Sequence, residues 1–289
     1  MYKHKNRENS ATQAASLPKT ARLPINRCNV PAVILGSLIF QRNPVPIYID
    51  GVHELHKHLF SALDNYSSRE QRAEYFMNYL AVQFRFEHPE DTGLDMDSSK
   101  TGKRHKADYL RTLRGWLFDP NGQEAAVMKS WVESRFGLLT RYHNGPLYAS
   151  SGNNAKTHRY NDFLESRARG LYATNALESQ LDLLYSYCQY ELARTCSPDL
   201  QVRLYRGVNR PYEYEVLEQR ARNHAVFLLN NLNSFTRNRD RAGEFGDYIL
   251  EVSACWQKIV FYSDLLPGHL LGEEEVLLIG GVYEVDISR

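Results

Sequence analysis

Gly272-Glu273-Glu274-Glu275-Val276-Leu277-Leu278-Ile279 carries a cluster of acids directly into an apolar run of strand length. Similar runs lie on either side: Tyr248-Ile249-Leu250-Glu251-Val252, Lys258-Ile259-Val260-Phe261-Tyr262 and Val282-Tyr283-Glu284-Val285-Asp286-Ile287. β-Branched and aromatic residues dominate them, and such side chains pack well on a pleated surface. Gly280-Gly281 predicts a two-residue hairpin between the last two. Upstream, from about Val52 to Asn231, the period is helical: Tyr75, Phe76, Tyr79, Leu80 and Phe84 recur at three- and four-residue steps, as do Leu177, Leu181, Leu184, Tyr185, Cys188 and Leu192. Within that region Val202-Arg203-Leu204-Tyr205-Arg206-Gly207-Val208 reads as one further strand. The expected fold is α+β, a helical N-terminal part packed on a mainly antiparallel β core. No βαβ alternation and no Gly-x-Gly-x-x-Gly occurs, which removes the usual dinucleotide fold.

The chain of 289 residues has room for a sizeable core, and 35 Lys+Arg against 34 Asp+Glu leave a net charge of +1. No global field points to nucleic acid or an anionic membrane, so any anion site must be local. No apolar run approaches membrane-spanning length, the longest candidate being the packed segment Pro31 to Phe40, and the polar start lacks a secretory core. A cytoplasmic protein is expected. Cys28, Cys188, Cys196 and Cys255 are scattered without Cys-x-x-Cys spacing and read as reduced thiols. His53, His56 and His58 do not share one helical face and make a poor metal set. Residues 1–22 are polar enough to form a loose tail, leaving 23–289 as a single domain with its helical part at about 23–200 and its β core at about 201–289. Lys100, Lys103, Arg104 and Lys106 close a polar stretch that reads as an exposed loop, with partner docking as the alternative. It is not a phosphate-binding P-loop, since Asp97 and Arg104 stand where Gly and Ser or Thr are required.

Three elements carry chemistry. In an extended chain Glu273 and Glu275 point to one side, about 6 to 7 Å apart, so one carboxylate can stabilise a sugar cation while the other positions or deprotonates an attacking group. The alternative is a solvated acidic turn. Arg206 shares a strand face with Val202, Leu204 and Val208; its guanidinium needs a carboxylate or phosphate there, and its planar fork suits a pyrophosphate. A structural ion pair is the competing explanation. Gly207 beside it allows close approach to the backbone. Ser234 and Thr236, on one face of Asn233-Ser234-Phe235-Thr236, either hold a ribose or cap a turn.

Arginine on a first strand, Ser-x-Thr on a second and Glu-x-Glu leading a third, in that order, resemble the arginine-directed mono-ADP-ribosyltransferases. The similarity extends along the chain: Leu23 to Asn29, Trp131-Val132-Glu133-Ser134-Arg135-Phe136-Gly137-Leu138, Gly170 to Glu178 and Glu244 to Leu250 resemble the dinitrogenase reductase ADP-ribosyltransferases of nitrogen-fixing bacteria. The resemblance implies a β core of ADP-ribosyltransferase type, NAD as co-substrate, an arginine of dinitrogenase reductase as acceptor, and control by a PII signal protein. It implies that Arg206 grips the NAD phosphates, Gly207 bonds the nicotinamide carboxamide, Ser234 helps hold the nicotinamide ribose, Glu275 is the catalytic acid, and Glu273 orients the acceptor. No metal is implied. Ser-Phe-Thr in place of Ser-Thr-Ser leaves Thr236 without a clear role, and Phe235, Phe245 and Tyr248 compete as the nicotinamide stacker. Two rival readings are a glycosidase-like hydrolase, which leaves Arg206 unexplained, and a non-catalytic module that binds NAD and sequesters dinitrogenase reductase, against which stands the presence of both Glu273 and Glu275.

Overall fold

The computed structural model describes residues 16–84, 107–149, 155–269 and 274–289. Among the described residues nine α-helices come first: α1 (Ala32–Leu35), α2 (Leu38–Arg42), α3 (Val52–Leu55), α4 (Lys57–Leu63), α5 (Arg69–Phe84), α6 (Tyr109–Phe118), α7 (Gln123–Phe136), α8 (His158–Gly170) and α9 (Ala176–Thr195). Then follow β1 (Gln201–Val208), β2 (Glu215–Ala221), β3 (His224–Thr236), α10 (Arg239–Gly243), β4 (Tyr248–Cys255), β5 (Ile259–Tyr262) and β6 (Glu275–Ser288). The α+β expectation, helices first and an antiparallel sheet last, matches this order.

Local chemistry explains the helices that reach the sheet. Asp108 starts α6 by accepting from the Leu110 N–H at 2.9 Å, and Tyr109, Thr112, Leu113 and Trp116 then fall on one buried face at helical spacing. Gly137, at φ +71°, ends α7 in the left-handed conformation that favours glycine. α7 is buried along most of its length and is tied to α9, whose Asp182 accepts from Trp131 Nε1 at 2.7 Å and Arg135 Nε at 2.8 Å. The apolar stripe of α9, from Leu177 to Leu192, is buried as its period requires. Between α5 and α9, Arg72 donates through Nε and Nη2 to the two carboxylate oxygens of Glu191, and its third guanidinium nitrogen, Nη1, donates to the carbonyls of Tyr66 and Ser67.

The sheet runs β2-β3-β1-β4-β6-β5, every pairing antiparallel, with β3 also pairing β6. The β3–β6 ladder extends from His224 opposite Asp286 to Thr236 opposite Glu275.

Three expectations need correction. Residues 215–231, read as helical, form β2 and most of β3; their apolar run Ala225 to Leu229 is buried throughout and length alone did not separate strand from helix. The hairpin at Gly280-Gly281 does not form, because β6 continues through it for 14 residues. Gly281 takes φ +107°, the β3 register shifts between Leu229 and Leu232, and a Cβ at Gly280 would collide with the Asn230 carbonyl. The glycines thus permit a kink where β6 meets α1, and Val282 N–H donates to the Gly36 carbonyl at 2.8 Å. The loose tail does not extend to residue 22, since Leu17 and Ala21 are buried and Arg22 bridges Leu138. Residues 1–15 lie outside the described residues. The packed segment from Pro31 to Phe40 is present as α1 and the start of α2, with Leu35, Leu38 and Phe40 buried.

All four cysteines are free thiols, and burial raises Cys28 and Cys255 to about 11. His56 Nδ1 lies 2.8 Å from the Tyr79 hydroxyl and His53 packs on Phe60, so both serve packing. Among the described residues no cluster of three metal-ligating side chains occurs and no helix is long and apolar enough to cross a membrane.

Candidate active site

β1, β3 and β6 converge at one row. Thr236 is paired with Tyr205 on one side and with Glu275 on the other, which brings the arginine strand, the Ser-x-Thr strand and the acid-led strand side by side. The pairing places Arg206 next to Ser234: its Nη1 donates to the Ser234 carbonyl at 2.9 Å. Its Nε is buried with no hydrogen-bond partner, and among the described residues Arg206 enters no ion pair. A structural salt bridge therefore does not account for this arginine. A buried guanidinium N–H without an acceptor is costly, and a phosphate oxygen is an acceptor of the right charge.

Glu275 opens β6 and is 7% exposed. Just before it, Glu274 holds φ +48°, a conformation uncommon outside glycine. The regular strand thus begins at Glu275, and the alternation that would set Glu273 and Glu275 on one face is interrupted at Glu274. Glu273 itself lies outside the described residues, as does the Lys100 to Lys106 stretch.

A residue that sequence reasoning missed completes the group. Trp116, buried on α6, directs its indole N–H at both Ser234 Oγ, 2.8 Å, and Glu275 Oε1, 3.2 Å. Helical spacing from Tyr109 marks Trp116 as inward-facing, but nothing in its period names the strand residues it meets. Behind it on α7 lies Lys129, 3% exposed, its Nζ 5.7 Å from the Trp116 ring centre. Lys129 donates to the carbonyls of Pro120 at 2.7 Å and Tyr142 at 3.2 Å and lies 3.4 Å from His143 Nδ1. Burial first, and then the positive charge of Arg206, pull the Lys129 ammonium down to about 7, with Asp119 opposing. His143 is lowered to about 4 by its own burial and by Lys129.

The remaining candidates divide. Thr236 is buried, and its Oγ1 accepts from the Asn238 N–H at 3.1 Å; Asn238 in turn caps α10 by accepting from Asp240 and Arg241. Its hydroxyl makes a turn. A Cβ at Gly207 would run into the Ala242 carbonyl, so glycine is needed there because α10 lies against β1. Of the three aromatics, Phe235 is buried in the core, whereas Phe245 is 54% exposed under Arg241 and Tyr248 is half-buried and accepts from Arg289. Both of the latter follow α10. Gly268 takes φ +80°, and Arg114 of α6 donates through Nη2 to the His269 carbonyl at 3.5 Å.

Comparison with known proteins adds an independent line. A family model described as dinitrogenase reductase ADP-ribosyltransferase matches residues 25–287. A curated relative from Rhodospirillum rubrum, named NAD(+)--dinitrogen-reductase ADP-D-ribosyltransferase, is 37% identical over 267 residues, covering 91% of this chain and 94% of its own length. No solved structure matches. With the family model spanning the helical part and all six strands, and the three motif strands adjacent in the fold, the chain belongs to the dinitrogenase reductase ADP-ribosyltransferase family.

Proposed function

We propose that this chain transfers ADP-ribose from NAD to a specific arginine of dinitrogenase reductase, releasing nicotinamide and inactivating nitrogenase. The observation that carries this reading is the junction of Arg206, Ser234 and Glu275 around one row of the sheet, with Arg206 Nε buried and unpartnered. The family and the relative's name supply the reaction.

In the reaction, the bond between ribose C1′ and the nicotinamide nitrogen breaks, and its electron pair neutralises the pyridinium. Positive charge then develops on the ribose. Glu275, held at the start of β6, bonds the ribose 2′-hydroxyl and stabilises that charge. Arg206 holds the pyrophosphate through N–H groups left over from its bond to Ser234, and Ser234 helps hold the ribose. Gly207 contributes backbone bonds to the carboxamide, while Thr236 shapes the turn at the strand end. Glu273 pairs with the acceptor guanidinium and takes its proton as a guanidinium nitrogen bonds to C1′; without that carboxylate the acceptor stays charged and non-nucleophilic. We assign the whole of 23–289 to one ADP-ribosyltransferase domain, a cytoplasmic location to the protein, and control to a PII signal protein.

Intact mass of dinitrogenase reductase after incubation with NAD and the purified protein tests the reading. One ADP-ribose on arginine, absent with Glu275→Gln, is the expected result. NAD binding with no added mass, with or without a PII protein, would leave a sequestering module instead.

A further inference from the structure

We propose that Trp116 is a positioning residue for the transfer: its indole N–H, delivered by α6, holds the Glu275 carboxylate and the Ser234 hydroxyl in one arrangement. This rests on the catalytic role given to Glu275 above.

Three observations carry it. The indole nitrogen lies within hydrogen-bond distance of Ser234 Oγ, 2.8 Å, and of Glu275 Oε1, 3.2 Å, residues on two different strands. Trp116 is 2% exposed and Glu275 7%, so water competes poorly for either group. Indole N–H is a donor only, so it can stabilise the carboxylate but cannot accept from a protonated acid. A donor aimed at a carboxylate favours its charged form, and the charged form is the one that meets a developing sugar cation. Because Ser234 Oγ accepts from Trp116, its own hydroxyl hydrogen is free to be donated onward.

The arrangement also ties the helical part to the strand residues of the site. Trp116 is set by α6, which starts at the Asp108 cap, packs against α7, and carries Lys129 of that helix behind the indole ring. A displacement of α6 would withdraw the N–H from both strands at once. One link between the helices and the Glu275 carboxylate therefore runs through the Trp116 indole nitrogen.

The test uses full-length protein. Trp116→Phe keeps the ring's apolar packing and removes the N–H. We expect kcat for nicotinamide release to fall about ten- to a hundredfold while KM for NAD stays within about twofold. An unchanged kcat, or a fall matched by a loss of NAD affinity, would mean that Trp116 only packs. The second readout needs no turnover. The chain has three tryptophans, and the other two indoles donate to Asp182 and to the Ser197 carbonyl, so 15N-indole spectra resolve three distinct environments. Glu275→Gln should move the Trp116 resonance and leave the other two; Trp131→Phe and Trp256→Phe assign it by elimination if Trp116→Phe does not fold. An unmoved resonance overturns the proposal. A moved resonance in a wild type that transfers nothing would instead sink the function assigned to the site while supporting the link.

Discussion

The Arg206 guanidinium reaches back to the Ser234 carbonyl at 2.9 Å, joining β1 to β3 by a side chain bond, while its Nε stays buried with no acceptor. One end of the fork is thus spent on the fold, while Nε is left without an acceptor. Lysine retains the charge but not the planar fork. Arg206→Lys should weaken NAD binding by about tenfold or more, with a smaller effect on turnover at saturating NAD. Calorimetric titration with NAD checks it; affinity equal to wild type would return Arg206 to a purely structural role.

The two acids should separate by reaction. Glu275→Gln removes charge where the sugar cation forms, and both NAD hydrolysis and arginine transfer should drop by about a hundredfold or more with the fold intact. Glu273→Gln should depress transfer to arginine more than hydrolysis, since water needs no guanidinium deprotonated. Nicotinamide release measured with and without the protein acceptor gives both rates, and equal losses for Glu273→Gln would remove its assignment as the acceptor-orienting group.

Gly207 offers a stability prediction independent of chemistry. A methyl group there meets the Ala242 carbonyl, which cannot yield without moving α10 away from β1. Gly207→Ala should cost about 1 to 3 kcal/mol and lower the thermal midpoint. Because the displaced segment leads to Phe245 and Tyr248, NAD affinity should fall as well. An unchanged midpoint would show that α10 is looser than its packing indicates.

Two buried ammonium groups predict a pH dependence of a definite sign. Burial lowers Lys129 and Lys258 to about 7, from an ordinary value of 10.5. Between those values the unfolded chain holds more protons than the folded one, so folding stability rises as pH increases from about 7 toward 10. Above that, the buried tyrosines, whose folded ionisation is pushed up by desolvation, reverse the trend. Urea midpoints from pH 7 to 9.5 should climb in the wild type and climb less in Lys129→Met. A slope identical in both would mean that Lys129 stays charged in the fold.

Much of the site could be read directly. Arg206, Ser234 and Glu275 sit in strands or at strand starts whose β-branched and aromatic runs are local properties of the chain, and their order carried the family resemblance. The apolar stripes of α5 and α9 were equally legible, because a period of three and four residues needs no partner to be recognised. Local pattern failed where two structures share one signal. An apolar run such as Ala225 to Leu229 suits a buried helix or a buried strand, and only pairing with β2 and β6 selects the strand. Gly280-Gly281 suits a hairpin or a kink, and the β3–β6 ladder, which resumes after its register shift between Leu229 and Leu232, together with the bond from Val282 N–H to the Gly36 carbonyl, selects the kink.

By itself, then, the sequence determined the α+β class, with helices first and strands last, and the family to which the chain belongs, since both depend on patterns of neighbours a few positions apart. Tertiary structure alone decided that Arg206 has a free buried N–H, that Gly207 yields space to α10, and that Trp116 meets Ser234 and Glu275 across 118 and 159 positions of chain. Those are contacts between surfaces whose docking depends on the summed burial of every element between them, and no local period encodes which side chain will lie opposite which.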